Sequence, residues 1–301
     1  MNSVTENISL KKIIDGKLIS SKVKAEIKEE VSELVQSGKR PPGLAFILVG
    51  EDPASKVYVK NKGKACSDIG FYSVTEKLPD SISEEELINL IQTFNNDEKI
   101  DGILVQLPLP KHINEQRVIE SINYKKDVDG FHPENTGRLV SGIKSFIPCT
   151  PYGITELLKR YNIETSGKNV TVIGRSNIVG KPIANLLIQK EYNATVSICH
   201  SKTKDLKSYT LNADIIIAAI GSPDFLKGDM IKEDVVIIDV GINRVESSSS
   251  PNGYKITGDV DFESCLEKCK MITPVPGGVG PMTIAMLMKN TLDSYKKIIY
   301  S

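Results

Sequence analysis

Ser55, Tyr58 and Lys62 stand three and four residues apart, so on a helix they share one face. A stripe of hydroxyl, phenol and amine is polar where a face turned to a core would be apolar. Its amine can move a proton or steady a developing negative charge. Gln106 lies in the apolar run ILVQL, and the carboxyl ends of strands are where ligands sit in open α/β sheets. Asp127 and Asp129 fall in KDVDGFHPEN, a loop whose glycine and proline imply a fixed conformation. PVPGGVGPMT (274–283) is denser still in those residues and immediately precedes the last apolar helix. Each polar residue alone would suit a solvated surface; jointly, with a cofactor turn elsewhere in the chain, they outline an active site.

That turn is VTVIGRSNIVG (170–180), an apolar strand breaking into Gly174, Arg175 and Ser176, then Gly180. Bare backbone and the free N–H groups of a helix start can hold a phosphate there. The spacing departs from G-x-G-x-x-G, so the segment alone also fits an ordinary strand–helix corner. The second strand of this series, TVSIC, runs into His200-Ser201-Lys202-Thr203-Lys204 with no carboxylate to take a ribose 2′-hydroxyl. Arg175 offers a planar fork of donors to a phosphate, which favours NADP over NAD. Lys202 and Lys204 also fit as solvated loop charges.

The surrounding elements alternate. Val23, Ile27, Val31, Leu34 and Val35 recur at helical spacing, ended by Gly38 and Pro41-Pro42. A buried strand at 44–49, a helix at 55–69 stopped by Gly70 and a strand at 71–78 follow. Ser83 with Glu86 resembles a capping box opening the next helix, and a strand at 103–107 is closed by Pro108. Thr150 at N-cap and Pro151 at N1 open a second series: strand 170–173, helix 178–190, and strands 195–199, 214–220 and 235–240. The polar stretch SSSSPNG (247–253) reads as a surface loop. The last helix, 283–296, carries a Met282, Met286, Met288 stripe that reads as core packing.

Composition narrows the function classes. The 301 residues suffice for two domains, and 38 basic against 38 acidic side chains argue against nucleic acid as a partner. No apolar run approaches the roughly 18–20 residues that span a bilayer, and the N-terminus shows no signal-peptide or transit pattern. Five cysteines without a C-x-x-C pair fit reduced thiols in the cytoplasm. With only His112, His132 and His200, a metal centre is not expected.

Five longer segments carry a resemblance: GEDPASKVYVKNKGKACSDIG (50–70), DGILVQLPLP (101–110), KDVDGFHPENTGRL (126–139), GRSNIVGKP (174–182) and PVPGGVGPMT (274–283). In their order and spacing the chain resembles, nearly end to end, the bifunctional methylenetetrahydrofolate dehydrogenase/methenyltetrahydrofolate cyclohydrolase family. The resemblance implies an α/β protein with two α/β domains flanking a cleft, the second a Rossmann-type parallel sheet. It implies a catalytic folate-binding domain over 1–149, completed by a C-terminal helix (282–301) that returns to it. An NADP-binding domain over 150–281 would carry the contacts of a homodimer.

The implied chemistry is NADP-dependent oxidation of 5,10-methylenetetrahydrofolate, then hydrolysis of the methenyl product to 10-formyltetrahydrofolate. Lys62 matches the family's catalytic lysine, and Gln106 would hydrogen-bond Lys62 and the reacting centre. Tyr58 would stack on or orient the folate ring, Asp129 would accept from the pterin N–H groups, and Ser55 would join the substrate site. Gly174, Arg175 and Ser176 match the cofactor turn, Ser201 a 2′-phosphate contact and Ile242 a backbone contact near the nicotinamide. Pro276, Gly277, Gly278 and Thr283 would line the folate cleft. A lysine with its usual pKa of about 10.4 is a poor base, so Lys62 would need a lowered pKa to abstract a proton, or would act charged by polarising the adduct. Two alternatives remain, the first from fold logic and the second of another class. One is a monofunctional two-domain NADP dehydrogenase of the shikimate type; the other is a non-catalytic folate- or NADP-binding regulator.

Overall fold

Two three-layer problems are solved separately along this chain, which a computed structural model describes over residues 11–248, 250 and 253–300. Readings of the first ten residues and of positions 249, 251 and 252 lie outside the described residues. One compact unit comprises Ser21–Cys149 and the chain from Ile284 onward; the other comprises the described residues through Ser20 and Thr150–Thr283. Residues 11–20, expected with the amino-terminal domain, thus group with the carboxyl-terminal one. They are tied there by the Ile13↔Ile272 bridge and by Ile14 N donating to Ile272 O at 2.8 Å. Residues 282 and 283, expected with the returning helix, fall in that unit as well.

In the first unit, helix α1 (Gly16–Gln36) buries Val23, Ile27 and Val31 at a four-residue repeat. Val35, the next in the pattern, is instead 48% exposed, because the last turn runs beyond the surface it covers. Three parallel strands follow in the order β2-β1-β3: β1 (Gly43–Val49), β2 (Tyr72–Leu78) and β3 (Gly102–Val105). Every residue of the central β1 is buried, as a near-continuous apolar strand covered on both faces must be. Helix α2 (Pro53–Ile69) links β1 to β2 and ends at Gly70, left-handed at φ 84°. Helix α3 (Glu84–Asn96) opens with the Ser83/Glu86 capping box and packs Leu87, Ile91 and Phe94 on the sheet.

Helices α4 (Glu115–Ser121) and α5 (Pro133–Val140) come next; the second emerges from the stretch expected only as a fixed loop. Gly102 is dictated by packing, since a Cβ there would lie 2.7 Å from Val128 Cγ2. The loop carrying the two aspartates can therefore press against the start of β3, with Ile103 N donating to Lys126 O at 2.8 Å.

The second unit opens with α6 (Cys149–Arg160), one residue ahead of the expected Thr150 N-cap. A five-stranded, wholly parallel sheet follows, ordered β10-β7-β6-β4-β5. Its strands are β4 (Asn169–Ile173), β5 (Thr195–Cys199), β6 (Ile215–Ala218), β7 (Val236–Asp239) and β10 (Met271–Ile272). Helix α7 (Gly180–Leu187) joins β4 to β5, and α8 (Leu206–Leu211) precedes β6. Strand order reverses between β4 and β6, so the crevice at their carboxyl ends is the ligand position of a doubly wound sheet.

An antiparallel ribbon of β8 (Asn243–Glu246) and β9 (Tyr254–Thr257) flanks the expected surface loop at 247–253; neither strand was anticipated. After α9 (Phe262–Leu266), helix α10 (Val279–Tyr295) contributes its residues from Ile284 onward to the first unit. Met282, Met286 and Met288 are buried, as core packing requires.

Candidate active site

In the first unit, α2 sets out the polar stripe. Asp52 caps the helix by accepting from Ser55 N at 2.7 Å, and Pro53 occupies its first turn. Ser55 and Lys62 are buried, while Tyr58 between them is 38% exposed. Lys62 Nζ donates to Gln106 Oε1 at 3.0 Å. Gln106 Nε2 in turn donates to Leu107 O at 2.8 Å, so its amide orientation is fixed and the oxygen faces the lysine. Its backbone N–H donates to Ile47 O, which extends the β1–β3 pairing one residue past the strand end. Chemistry-bearing side chains thus stand at the carboxyl edge of the sheet.

The two aspartates separate into different tasks. Asp127 is buried and accepts from His132 N and Asn135 Nδ2, both at 2.8 Å, and from Phe131 N at 3.3 Å. Burial raises its pKa against the pull of those donors, and the arrangement marks it as the anchor of the loop that leads into α5. Asp129 has no such main-chain cage. Desolvation raises its pKa, opposed by the charge of Lys62 and by the nearby Cys149 thiol. A carboxylate with unfilled acceptor capacity, close to a lysine, is a site for a ligand's N–H groups.

Two residues of this cluster escaped the sequence reading. Cys149 is buried and its thiol is held far above the ordinary range by desolvation and then by Asp129; it donates to Val128 O at 3.4 Å. Asn290, buried in α10, donates from Nδ2 to Val128 O at 2.8 Å and Ile147 O at 2.9 Å. Together they hold the Val128 carbonyl, immediately before Asp129.

In the second unit the glycine turn fits a dinucleotide phosphate. Gly174 has φ 125°, and a Cβ there would lie 2.0 Å from Ala219 O; one on Gly180 would lie 2.3 Å from Gly174 O. Only bare backbone allows this close strand–turn–helix approach. Ser176 Oγ accepts from Val179 N at 3.2 Å and Gly180 N at 3.3 Å, closing the turn, and Arg175 is left exposed. Gly174 N donates to Cys199 O, so the turn adjoins the end of β5, where exposed Ser201 follows His200. Ile242, 48% exposed, follows β7.

Pro276, Gly277, Gly278 and Thr283 belong to this second unit. The Val275–Pro276 bond is cis, Gly277 has φ 113°, and its carbonyl accepts from Lys17 N at 2.8 Å. The Thr283 hydroxyl is hydrogen-bonded to that of Thr150 at 3.0 Å. No group of metal-ligating side chains occurs among the described residues.

Residues 14–129 match the family model described as the tetrahydrofolate dehydrogenase/cyclohydrolase catalytic domain. Residues 148–299 match that family's NAD(P)-binding domain. The bifunctional protein FolD of Chloroherpeton thalassium is 55% identical over 291 residues, covering 95% of this chain and 99% of that protein. The bifunctional FolD enzyme of Campylobacter jejuni superposes with a TM-score of 0.90 at 52% identity, over 95% of this chain and 99% of that one. The Trypanosoma brucei enzyme, solved with NADP and an inhibitor, gives 0.91 at 37% identity, over 96% and 98%.

Proposed function

Because the chain belongs to the tetrahydrofolate dehydrogenase/cyclohydrolase family, we propose that it oxidises 5,10-methylenetetrahydrofolate with NADP and then hydrolyses the methenyl product to 10-formyltetrahydrofolate. The observation that carries this reading is buried Lys62 donating to Gln106 at 3.0 Å, with Asp129 close enough to feel the lysine's charge. A shikimate-type dehydrogenase would not require that constellation, and the similarity extends over the unit that contains it. A purely regulatory binder would have no use for a proton-handling lysine fixed in this way.

Asp129 accepts hydrogen bonds from the pterin's amino and ring N–H groups and so sets the position of the one-carbon unit. Tyr58, with one face open, orients the folate ring; Ser55, Pro276, Gly277, Gly278 and Thr283 complete the substrate contacts. In oxidation, the two folate nitrogens stabilise the cation that forms, so these residues need only align the reacting carbon. Gly174, Arg175 and Ser176 would hold NADP, with Ser201 and Arg175 at its 2′-phosphate and Ile242 beside the nicotinamide; the bound cofactor supplies the hydride acceptor. In hydrolysis, water adds to the methenyl carbon and protons must leave oxygen and reach nitrogen. Lys62, held by Gln106, is the group placed to carry them or to polarise the adduct.

The reading extends to a cytoplasmic enzyme of one-carbon metabolism acting as a homodimer. Support for the dimer lies in β5, an edge strand of the second unit with Ile198 43% exposed. Light scattering that gives the mass of a single 33.0 kDa chain would refute it. The activity is tested by following methenyltetrahydrofolate absorbance after methylenetetrahydrofolate is added with NADP or NAD. NADP-dependent formation followed by decay is expected; no formation with either cofactor would sink the proposal.

A further inference from the structure

Two aspartates outside the cluster described above are almost wholly enclosed in the second unit. Asp259 is 0% and Asp239 3% exposed. Asp259 receives three successive main-chain donors: Ile220 N at 2.6 Å and Gly221 N at 2.9 Å on Oδ2, and Ser222 N at 3.0 Å on Oδ1. A fourth, Asn243 Nδ2, reaches Oδ1 at 2.9 Å. Asp239 Oδ1 accepts from Gly241 N and Asp259 N at 2.9 Å, and its Oδ2 accepts from Val260 N at 3.0 Å. Room for both carboxylates exists only because two neighbours lack side chains. A Cβ on Gly241 would lie 2.3 Å from Asp259 Oδ1, and one on Gly258 would lie 1.8 Å from Asp239 Oδ2.

Burying two carboxylates is costly, and an apolar pair would often serve stability as well. Their location supplies a reason. The segment 220–222 leaves the carboxyl end of β6 directly after Ala219, whose carbonyl abuts Gly174 in the phosphate turn. Asn243 directly follows Ile242. Asp259 therefore ties together the two stretches that border the proposed cofactor position, and Asp239 fixes Asp259 and Gly241 in turn. A carboxylate suits the task because both oxygens only accept; an amide would turn a donor toward N–H groups.

We propose that Asp259 is a positioning residue for NADP, supported by Asp239, and that it acts by holding 220–222 and 241–243 in one arrangement. The inference rests on the functional reading above. Its test uses the purified full chain and its two separable activities, with NADPH fluorescence as a direct binding readout, which the absence of tryptophan leaves clear. Asp259→Asn should weaken NADPH binding roughly tenfold or more and depress NADP-dependent oxidation in parallel. Hydrolysis of added methenyltetrahydrofolate, which needs no cofactor, should stay within about twofold of wild type. If that variant does not fold, Asn243→Ala, which leaves the three main-chain donors on Asp259, should still weaken NADPH binding severalfold with hydrolysis kept.

Wild-type NADPH affinity in the folded variants, or equal loss of both activities, would overturn the positioning role. Wild-type chain that fails to bind NADPH would overturn the functional reading itself, and this inference with it.

Discussion

Lys62 reaches its site with few neighbours to share its work: Gln106 Oε1 takes one of its hydrogens, and Asp129 lies within range of its charge. Lys62→Met keeps much of the stem's packing and deletes the amine. Cyclohydrolase activity should fall by about 10²–10⁴-fold, while a measurable fraction of dehydrogenase activity survives and methenyltetrahydrofolate accumulates. Equal loss of both activities with unchanged folate binding would mean that the lysine also serves hydride transfer. Arg175 presents the converse case, exposed in the glycine turn and free to meet a phosphate. Arg175→Ala should raise the KM for NADP by roughly ten- to a hundredfold, the worth of a charge-assisted contact, and barely change that for NAD. Parallel shifts for both cofactors would remove the 2′-phosphate assignment.

At the scale of elements, the site depends on a helix from the far end of the chain. Asn290 on α10 donates to the carbonyls of Val128 and Ile147, and its loss would orphan Ile147 O and leave Val128 O only the Cys149 thiol. Asn290→Leu should destabilise the protein by roughly 1–3 kcal/mol in denaturant unfolding, the cost of one orphaned buried group. A change under about 0.5 kcal/mol would show that water replaces the amide. Such dependence explains what could be read from the sequence. The Ser83/Glu86 box, the Gly70 stop, the Lys62 stripe and the Gly174 turn are signals within a few residues, set by helix spacing and backbone conformation. Cys149, Asn290, Asp239 and Asp259 draw their meaning from partners tens to more than a hundred residues away, and nothing in their local pattern announces this. The β8–β9 ribbon is two four-residue strands with mixed polarity around a polar turn, too short for a period to emerge. Residues 11–20 looked like the start of the nearest domain, yet their pairing lies with Ile272.

For the whole molecule, the buried aspartate pair sets a pH dependence of stability. Desolvation pushes Asp239 up to about 6, against its three main-chain donors and helped by the neighbouring charge of Asp259. Between the ordinary value of 3.8 and about 6, the folded state keeps a proton that the unfolded chain releases. The stability this contributes is present below about pH 4 and is lost as pH rises to about 6, to the extent of about 3 kcal/mol. Asp239→Asn removes the titration. The Tm of wild type measured against that variant should therefore slip as pH rises from 4.5 to 7, and a flat or rising difference would contradict the burial argument.

The placement of α10 has a further consequence, for the order in which the protein comes into being. The strands β1, β2 and β3 leave the ribosome early, but their unit is closed by α10, which follows the whole sheet of the other unit. Ser294 Oγ donates to Asp101 O at 2.6 Å, and Asn290 meets the Val128 carbonyl beside Asp129. The sheet of the other unit is complete once Ile272 has emerged. The unit begun first is thus the one finished second, and until α10 emerges it lacks its last helix. Emergence of α10, rather than of Lys62, is the event that completes the unit carrying the candidate site.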